Sequence, residues 1–330
     1  MSTLAHPDTP TPAPAPTLSL SVVICAYTTR RWDDLCDSVN SALAQDVPAP
    51  PQVVVVIDHN DDLHDRAVQR FGADPRVTIV RNTGTQGLSG ARNSGVAAAR
   101  GDIVGFLDDD ATADPGWART LLEHYRDADV AGVGGYATPV WPAGRRPDWL
   151  PPEFDWVVGC SYIGQPTTVA PVRNPIGCNM SLRRSVVDAV GGFRSEVGRV
   201  GTTPVGGEET ELCIRVGAHD GPRRILFDPN MSVHHRVSDD RVTLRYFLRR
   251  CYHEGLSKAV VAELATGHQA LSSESAYVRA VLPRAVVREL VSFSAAGCRR
   301  AATIVLGLAV TTAGYLRATV SRPLSRRGAR

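Results

Sequence analysis

From Leu18 the chain alternates short, continuously apolar runs with amphipathic stretches. LSLSVVICAY (18–27), QVVVVID (52–58), VTIVR (77–81) and DIVGFL (102–107) each read as a buried strand. Residues 32–44 read as a helix, a helical segment follows the second strand, and 89–100 read as a helix of small residues. Strands that are apolar along their whole length, separated by helices, predict a mostly parallel sheet covered on both faces. Such sheets bind ligands at the carboxyl ends of their strands. Three polar clusters fall at those ends, at 27–31, 58–62 and 108–110.

Beyond this repeat the pattern loosens. Residues 135–175 are rich in Pro, Trp and Gly, and WPAGRRPDWLPPEFDW (141–156) holds three tryptophans in sixteen residues, an ordered loop region whose aromatic faces suit an acceptor sugar or simply pack. Periodic order returns at IGCNMSLRRSVV (176–187) and GGEETELCIRV (206–216), and 242–264 read as an amphipathic helix. The segment AATIVLGLAVTTAGYL (301–316) is uncharged and lies between Arg300 and Arg317. At sixteen residues it falls short of the roughly twenty a helical span needs. It is therefore expected to be interfacial or re-entrant, with its arginines on anionic headgroups. The first seventeen residues contain five prolines and no apolar run, and read as a disordered leader rather than a signal or anchor.

Composition adds three constraints. With 330 residues, 43% hydrophobic and 21% charged, the chain can bury a sizeable core. A net charge of +2, from 36 basic and 34 acidic residues, gives no field that would favour nucleic acid as a partner. The charge is uneven, because 281–330 carry nine arginines against the single acid Glu289. Seven cysteines without a CxxC pair point to reduced thiols and a cytoplasmic setting.

Candidate chemistry begins at VGFLDDDAT (104–112), where an apolar strand runs into Asp108, Asp109 and Asp110. Carboxylates this close repel unless a cation sits among them, and Mg2+ or Mn2+ takes one or two such oxygens together with substrate phosphates. A solvated Asp-rich turn is the competing reading, and the buried strand that precedes the triplet weighs against it. Upstream, NTGTQGLSGARNSGVAAARGD (82–102) places glycines at 84, 87 and 90 before a helix whose amino end favours an anion. Its GxxGxxG spacing meets neither nucleotide fingerprint. In GGEETELCIR (206–215), Glu208 and Glu209 open a helix, as favourable dipole charges or as a general base. In VHHRV (233–237) one histidine could face a metal or be a packed polar residue.

Taken in order, SVVICAYTTR, VVVVID, NTGTQGLSGARNSGVAAARGDIVGFLDDDATADPGW, NPIGCNMSLRRSVVDAVGGF and GGEETELCIR resemble the family 2 glycosyltransferases of GT-A fold, over 18–237. The resemblance implies a Rossmann-like α/β catalytic domain at 18–237. A helical, membrane-associating extension at 238–330 completes the architecture. It implies a donor site made by Tyr27, Asp58, Gly90, Arg92, Asp108, Asp109 and Asn179, with Asp58 on the nucleotide base and Asn179 near the donor sugar. It implies Mg2+ or Mn2+ on Asp108, Asp110 and His235, and Glu209, or its neighbour Glu208, as the base that deprotonates the acceptor hydroxyl. The donor would be a nucleotide-diphosphate sugar, with UDP as carrier, and the reaction a direct displacement with inversion at the anomeric carbon. This sequence departs from the family pattern at Glu209, where aspartate is usual, at Asp58-His59-Asn60, and at Thr28.

Two other readings compete. The DxDxT stretch also suits a haloacid-dehalogenase-type phosphatase, which needs a lysine on the phosphate, whereas the only lysine here is Lys258. The fold could also serve an inactive membrane-associated scaffold. For the extension, Arg245, Arg249, Arg250 and Lys258 alternate with aromatic residues in 241–259. The simpler reading packs this helix on the catalytic domain. The other lays it and 301–316 on the cytoplasmic face of the membrane, where the acceptor would be a polyprenyl-linked sugar or another glycan.

Overall fold

The computed structural model describes residues 18–194, 206–219, 223–264 and 275–320, so the proline-rich leader and the arginines beyond 320 lie outside the described residues. Four strands form the parallel half of one sheet: β1 (Leu20–Ala26), β2 (Gln52–Asp58), β3 (Val77–Asn82) and β4 (Ile103–Asp108). These are the four apolar runs, with ends shifted by no more than two residues. Val22, Ile24 and every residue from Val53 to Ile57 are buried. Helices α1 (Trp32–Leu43), α2 (Asp61–Phe71) and α3 (Leu88–Ala98) make the crossovers. Asn60 caps α2 through its side-chain oxygen, which accepts from the Leu63 amide at 3.0 Å.

The second half of the sheet is mixed, and the sequence reading did not anticipate it. After β5 (Ala111–Ala113) and α4 (Trp117–His124), the chain forms β6 (Val130–Val140), β7 (Ala170–Pro171) and β8 (Asn179–Arg183). Helices α5 (Arg184–Ala189) and α6 (Glu208–Ala218) precede β9 (Arg224–Arg236). The strand order is β3-β2-β1-β4-β8-β6-β9-β5, with β7 also paired to β9. Strand β8 runs antiparallel to both β4 and β6, while β6 and β9 are parallel. Half of what read as a Pro/Trp/Gly loop is therefore structured. Its start is the buried strand β6, whose glycines at 132, 134 and 135 hid its apolar character.

The C-terminal region is a helical layer packed on the loop region. A short 3-10 turn (Asp239–Val242) precedes α7 (Leu244–Leu264), and α8 (Leu282–Val291) and α9 (Ala295–Val320) follow. Phe247 and Cys251 on α7, Leu282 and Ala285 on α8, and Ile304 on α9 share a core with Phe154 and Leu150. Helices α7 and α9 approach backbone to backbone. A β-carbon on Gly255 would lie 2.0 Å from the Thr311 carbonyl oxygen, and one on Gly314 would lie 2.2 Å from that of Tyr252. Only glycine permits that spacing. An ion-pair chain adds to it, from the fully buried Glu153 through Arg288 (2.8 Å) and Glu289 (2.6 Å) to Arg300 (2.7 Å).

One expectation about this region changes and one holds. The apolar segment 301–316 is the middle of a 26-residue helix, long and apolar enough to cross a membrane by length and composition, rather than a sixteen-residue re-entrant piece. Helix α7 takes the packed arrangement, as the simpler reading expected.

Candidate active site

The sheet register assembles the acidic centre. Asp108 ends β4 level with Cys25 of β1, and its backbone carbonyl accepts from the Ser38 hydroxyl of α1. The chain then turns into β5, which pairs antiparallel with β9 so that Ala111 faces His235, and the Arg236 amide donates to the Asp110 carbonyl at 2.8 Å. That register sets His235 Nε2 3.2 Å from Asp110 Oδ1. Ligand atoms of Asp108, Asp110 and His235 all lie within 4.8 Å of one another.

The surrounding cations show how much negative charge is concentrated here. Arg31 Nη1 lies 2.8 Å from Asp109 and 2.6 Å from Asp110, and Arg241 lies 3.5 Å from Asp110. Burial alone would raise Asp110, but His235, Arg241 and Arg31 together hold its carboxyl below the ordinary carboxylate range. Burial lowers His235 in turn, yet Asp110 outweighs it and lifts the imidazole to about 10. Asp109 is pushed up to about 8 by burial, with Asp110 and Asp108 adding to the effect and Arg31 opposing it. Its Oδ2 is buried with no hydrogen-bond partner. Two carboxylates, an imidazole and a spare buried oxygen suit a hard divalent ion of the Mg2+ or Mn2+ class.

A second acidic pair faces this centre. Glu208 and Glu209 begin α6, and Glu208 is joined to the metal-ligand side by Arg92, a 3% exposed residue of α3. The Arg92 guanidinium lies 3.3 Å from Glu208 Oε1 and 3.6 Å from Asp108 Oδ1, and donates to the Gly177 carbonyl at 3.1 Å. The rings of Phe106 and Phe193 flank it at 5.8 and 5.5 Å. Glu208 Oε2 is buried without a partner. Glu209 is half-buried, and burial together with the Glu208 charge raises it to about 7.

Both groups open onto one cleft of about 1470 Å³. Asp108, His235, Glu208 and Glu209 line it together with Lys258 of α7 and Tyr315 of α9. Trp156 and Phe154 form part of the wall.

Not every expected residue sits at this cleft. Tyr27 is 44% exposed beyond β1, its ring 5.3 Å from Arg31. Asp58 accepts from Asn82 Nδ2 at 2.7 Å and from the Gly87 amide at 2.9 Å, so it ties down the glycine segment. Gly90 is needed because a β-carbon there would come within 1.9 Å of the Thr85 carbonyl oxygen. Asn179 departs from its expected place at the donor sugar. It is fully buried, accepting from Trp117 Nε1 at 2.8 Å and donating to the carbonyls of Met231 and Tyr136 at 2.8 and 2.9 Å. Of the three tryptophans in 141–156, only Trp156 lines the cleft, while Trp141 and Trp149 pack into the core beneath the C-terminal helices. Arg250 and Lys258 also face the cleft rather than an outer surface. Sequence reasoning missed Arg31 and Arg241 as partners of the aspartates, since each is brought there by folding from outside the acidic motif.

Comparison with known proteins gives the same reading. Residues 21–191 match the family described as Glycosyl transferase family 2. A glucosyl-dolichyl phosphate glucuronosyltransferase of Haloferax volcanii is 35% identical over 271 residues, covering 82% of this chain and 85% of the relative. The succinoglycan biosynthesis protein ExoM of Rhizobium meliloti is 27% identical over 251 residues, covering 74% and 75%. The mannosyltransferase PcManGT of Pyrobaculum calidifontis, solved with GDP-Man and Mn2+, superposes with a TM-score of 0.59 at 17% identity. That likeness covers 96% of this chain and 90% of that one, and it carries the fold.

Removing Arg92 leaves Glu208 and Asp108 facing one another without compensation, which for a buried pair costs about 3–5 kcal/mol. Arg92→Gln is expected to lower the urea-derived unfolding free energy by about 3 kcal/mol, with partial recovery when Glu208→Gln is added. A single-mutant loss below about 1 kcal/mol would show that the bridge compensates little charge.

Proposed function

The chain belongs to glycosyl transferase family 2, and on that premise we propose that this glycosyltransferase moves a sugar from a nucleotide-diphosphate donor to a hydroxyl of a lipid-linked or polysaccharide acceptor, with inversion. The family match removes the phosphatase alternative. The observation that carries the proposal is that Asp108 and His235, clustered with Asp110, line the same cleft as Glu208 and Glu209. A UDP-sugar is the first donor to test. A lipid-linked sugar is the first acceptor, because the Haloferax relative is named for a glucosyl-dolichyl phosphate substrate.

In this reading Asp108, Asp110 and His235 hold Mg2+ or Mn2+, which when bound supplies positive charge to the departing diphosphate. Asp58 keeps the glycine segment closed against β2 and β3, giving the nucleotide a fixed floor. Glu209 takes the proton from the acceptor hydroxyl as that oxygen attacks the anomeric carbon. Burial, with Glu208 held beside it by Arg92, raises Glu209 to about 7, a proton affinity matched to neutral pH. One base opposite the leaving group suits single displacement.

The extension would meet the cytoplasmic face of a membrane through its outer stripe. Val287, Leu290 and Val291 lie on one face of α8, Phe293 follows at 91% exposure, and Val305 and Leu316 lie three turns apart on α9. Arg299 and Arg317 sit at the two ends of the apolar part of α9.

Because Glu209 must be ionised to act, kcat/KM should rise as pH climbs through about 7 and level off above it. Glu209→Gln should lower kcat by roughly 100- to 10,000-fold while nucleotide binding persists. A profile flat from pH 5.5 to 8, or a fully active Glu209→Gln enzyme, would rule this base out. In flotation, full-length protein should rise with anionic liposomes and Phe293→Asp should reduce that fraction; protein that stays in the dense layer would refute the membrane contact.

A further inference from the structure

The α7 wall of the cleft has a role that glycosyl transfer in general does not require. Arg250, Glu254 and Lys258 stand at successive turns of α7 and line it, which places them on one face at a rise of about 6 Å per step. Arg250 lies 2.7 Å from Glu254, and Lys258 lies 3.2 Å from the other oxygen of the same carboxylate. Two cations therefore share one anion, and the stripe presents a net positive charge to the cleft. Glu254 is held down to about 2, since the pull of Lys258 and Arg250 exceeds the effect of burial, so it keeps that charge at neutral pH.

Arg250 is 8% exposed, and its Nε has no hydrogen-bond partner. A buried guanidinium donor left unpaired is costly unless something occupies it. Its position is fixed, because the guanidinium lies over the Trp156 ring at 5.7 Å. It also borders the catalytic helix. A β-carbon on Gly206 would be 3.6 Å from Arg250 Nη2, and Glu209 is close enough to act on Arg250 electrostatically. Lys258 is the only lysine in a chain with 36 basic residues, and it is spent here.

We infer that Arg250 and Lys258 form an anion subsite that recognises a phosphate group carried by the acceptor, placed about one hexose from the hydroxyl presented to Glu209. This rests on the glycosyltransferase reading and deepens it by assigning the acceptor's chemical class. Arginine suits a phosphate through its fork of donors, and lysine adds a mobile point charge. One or two turns of α7, about 5–11 Å, span the width of a sugar ring. Val261, Leu282 and Leu308 add apolar side chains to the lining of the same cleft. A phosphate joined to an apolar chain fits a cleft lined by acidic, cationic and apolar side chains together.

The test measures binding to the full-length protein by titration calorimetry, with citronellyl phosphoglucose, citronellyl glucoside and inorganic phosphate as probes. Wild type is expected to bind the phosphorylated lipid at least tenfold more tightly than the neutral glucoside. Arg250→Gln and Lys258→Gln should each erase about tenfold of that preference and leave glucoside binding unchanged. Glu254→Gln removes the competing carboxylate and should tighten phosphoglucose binding several-fold, a gain that a merely structural role does not give. If inorganic phosphate competes at the same concentration as the lipid, the subsite takes free phosphate and the lipid adds nothing. Equal binding of the two lipids by wild type, or unchanged preference in Lys258→Gln and Glu254→Gln, would overturn the inference even if Arg250→Gln proved too unstable to measure. Nucleotide binding, followed in parallel, separates the two levels of the account: its loss in wild type would sink the glycosyltransferase reading, whereas its retention with no phosphate preference sinks only the subsite.

Discussion

The arrangement depends on a buried guanidinium held between carboxylates from two separate segments. Arg92 is 3% exposed and reaches Asp108 at the end of a parallel strand and Glu208 at the start of a helix more than ninety residues later. Without it the two acidic groups would repel across a low-dielectric cleft. With it, the Asp108 and Glu208 carboxylates have a fixed separation. Small residues in α3 let that helix sit close on the sheet. Gly95 packs where even a β-carbon would be 2.3 Å from Val23, and Arg92 is carried on the same rigid element.

The mixed half of the sheet supplies what the parallel half lacks. A purely parallel sheet would bring only strand ends together, but β5 turns back along β9 and sets His235 beside Asp110 through ladder register. The same turn orders the chain that leads, through Arg241, into α7. The C-terminal layer is thus continuous with the strand that carries His235, and it lines the cleft together with the sheet. Close glycine contacts between α7 and α9, and the Glu153–Arg288–Glu289–Arg300 chain, hold that layer in place.

Much of this was legible in the sequence because it rests on local pattern. The four apolar strands, the acidic triplet and the Glu208–Glu209 helix start all follow from runs of residue type, and the family resemblance named Asp108, Asp110 and His235, whose ligand atoms the fold brings within 4.8 Å of one another. What was not legible depends on distant pairing. Strand β6 was hidden by its glycines, which look like loop residues until β8 and β9 cover them. Asn179 was placed near the donor sugar by the family resemblance, whereas the fold engages its amide with Trp117, Met231 and Tyr136. That Arg250 and Lys258 turn into a cleft was not legible, since the sequence left α7 between packing on the catalytic domain and lying on a membrane, and no local signal distinguishes the outer face of a helix from one turned into a cleft.

The central claim is that Asp108, Asp110 and His235 hold a divalent ion that engages a nucleotide diphosphate. It is tested most directly by thermal unfolding with UDP, GDP and dTDP, each with and without Mn2+, on wild type, Asp110→Ala and Glu209→Gln. At a hundredfold excess over Kd, ligand linkage stabilises the native state by about 2.7 kcal/mol, a shift of several degrees. The account predicts that one nucleotide raises Tm only when metal is present, that Asp110→Ala abolishes the shift, and that Glu209→Gln keeps it. A wild-type curve that no nucleotide moves, or a metal-dependent shift that survives Asp110→Ala, would contradict it.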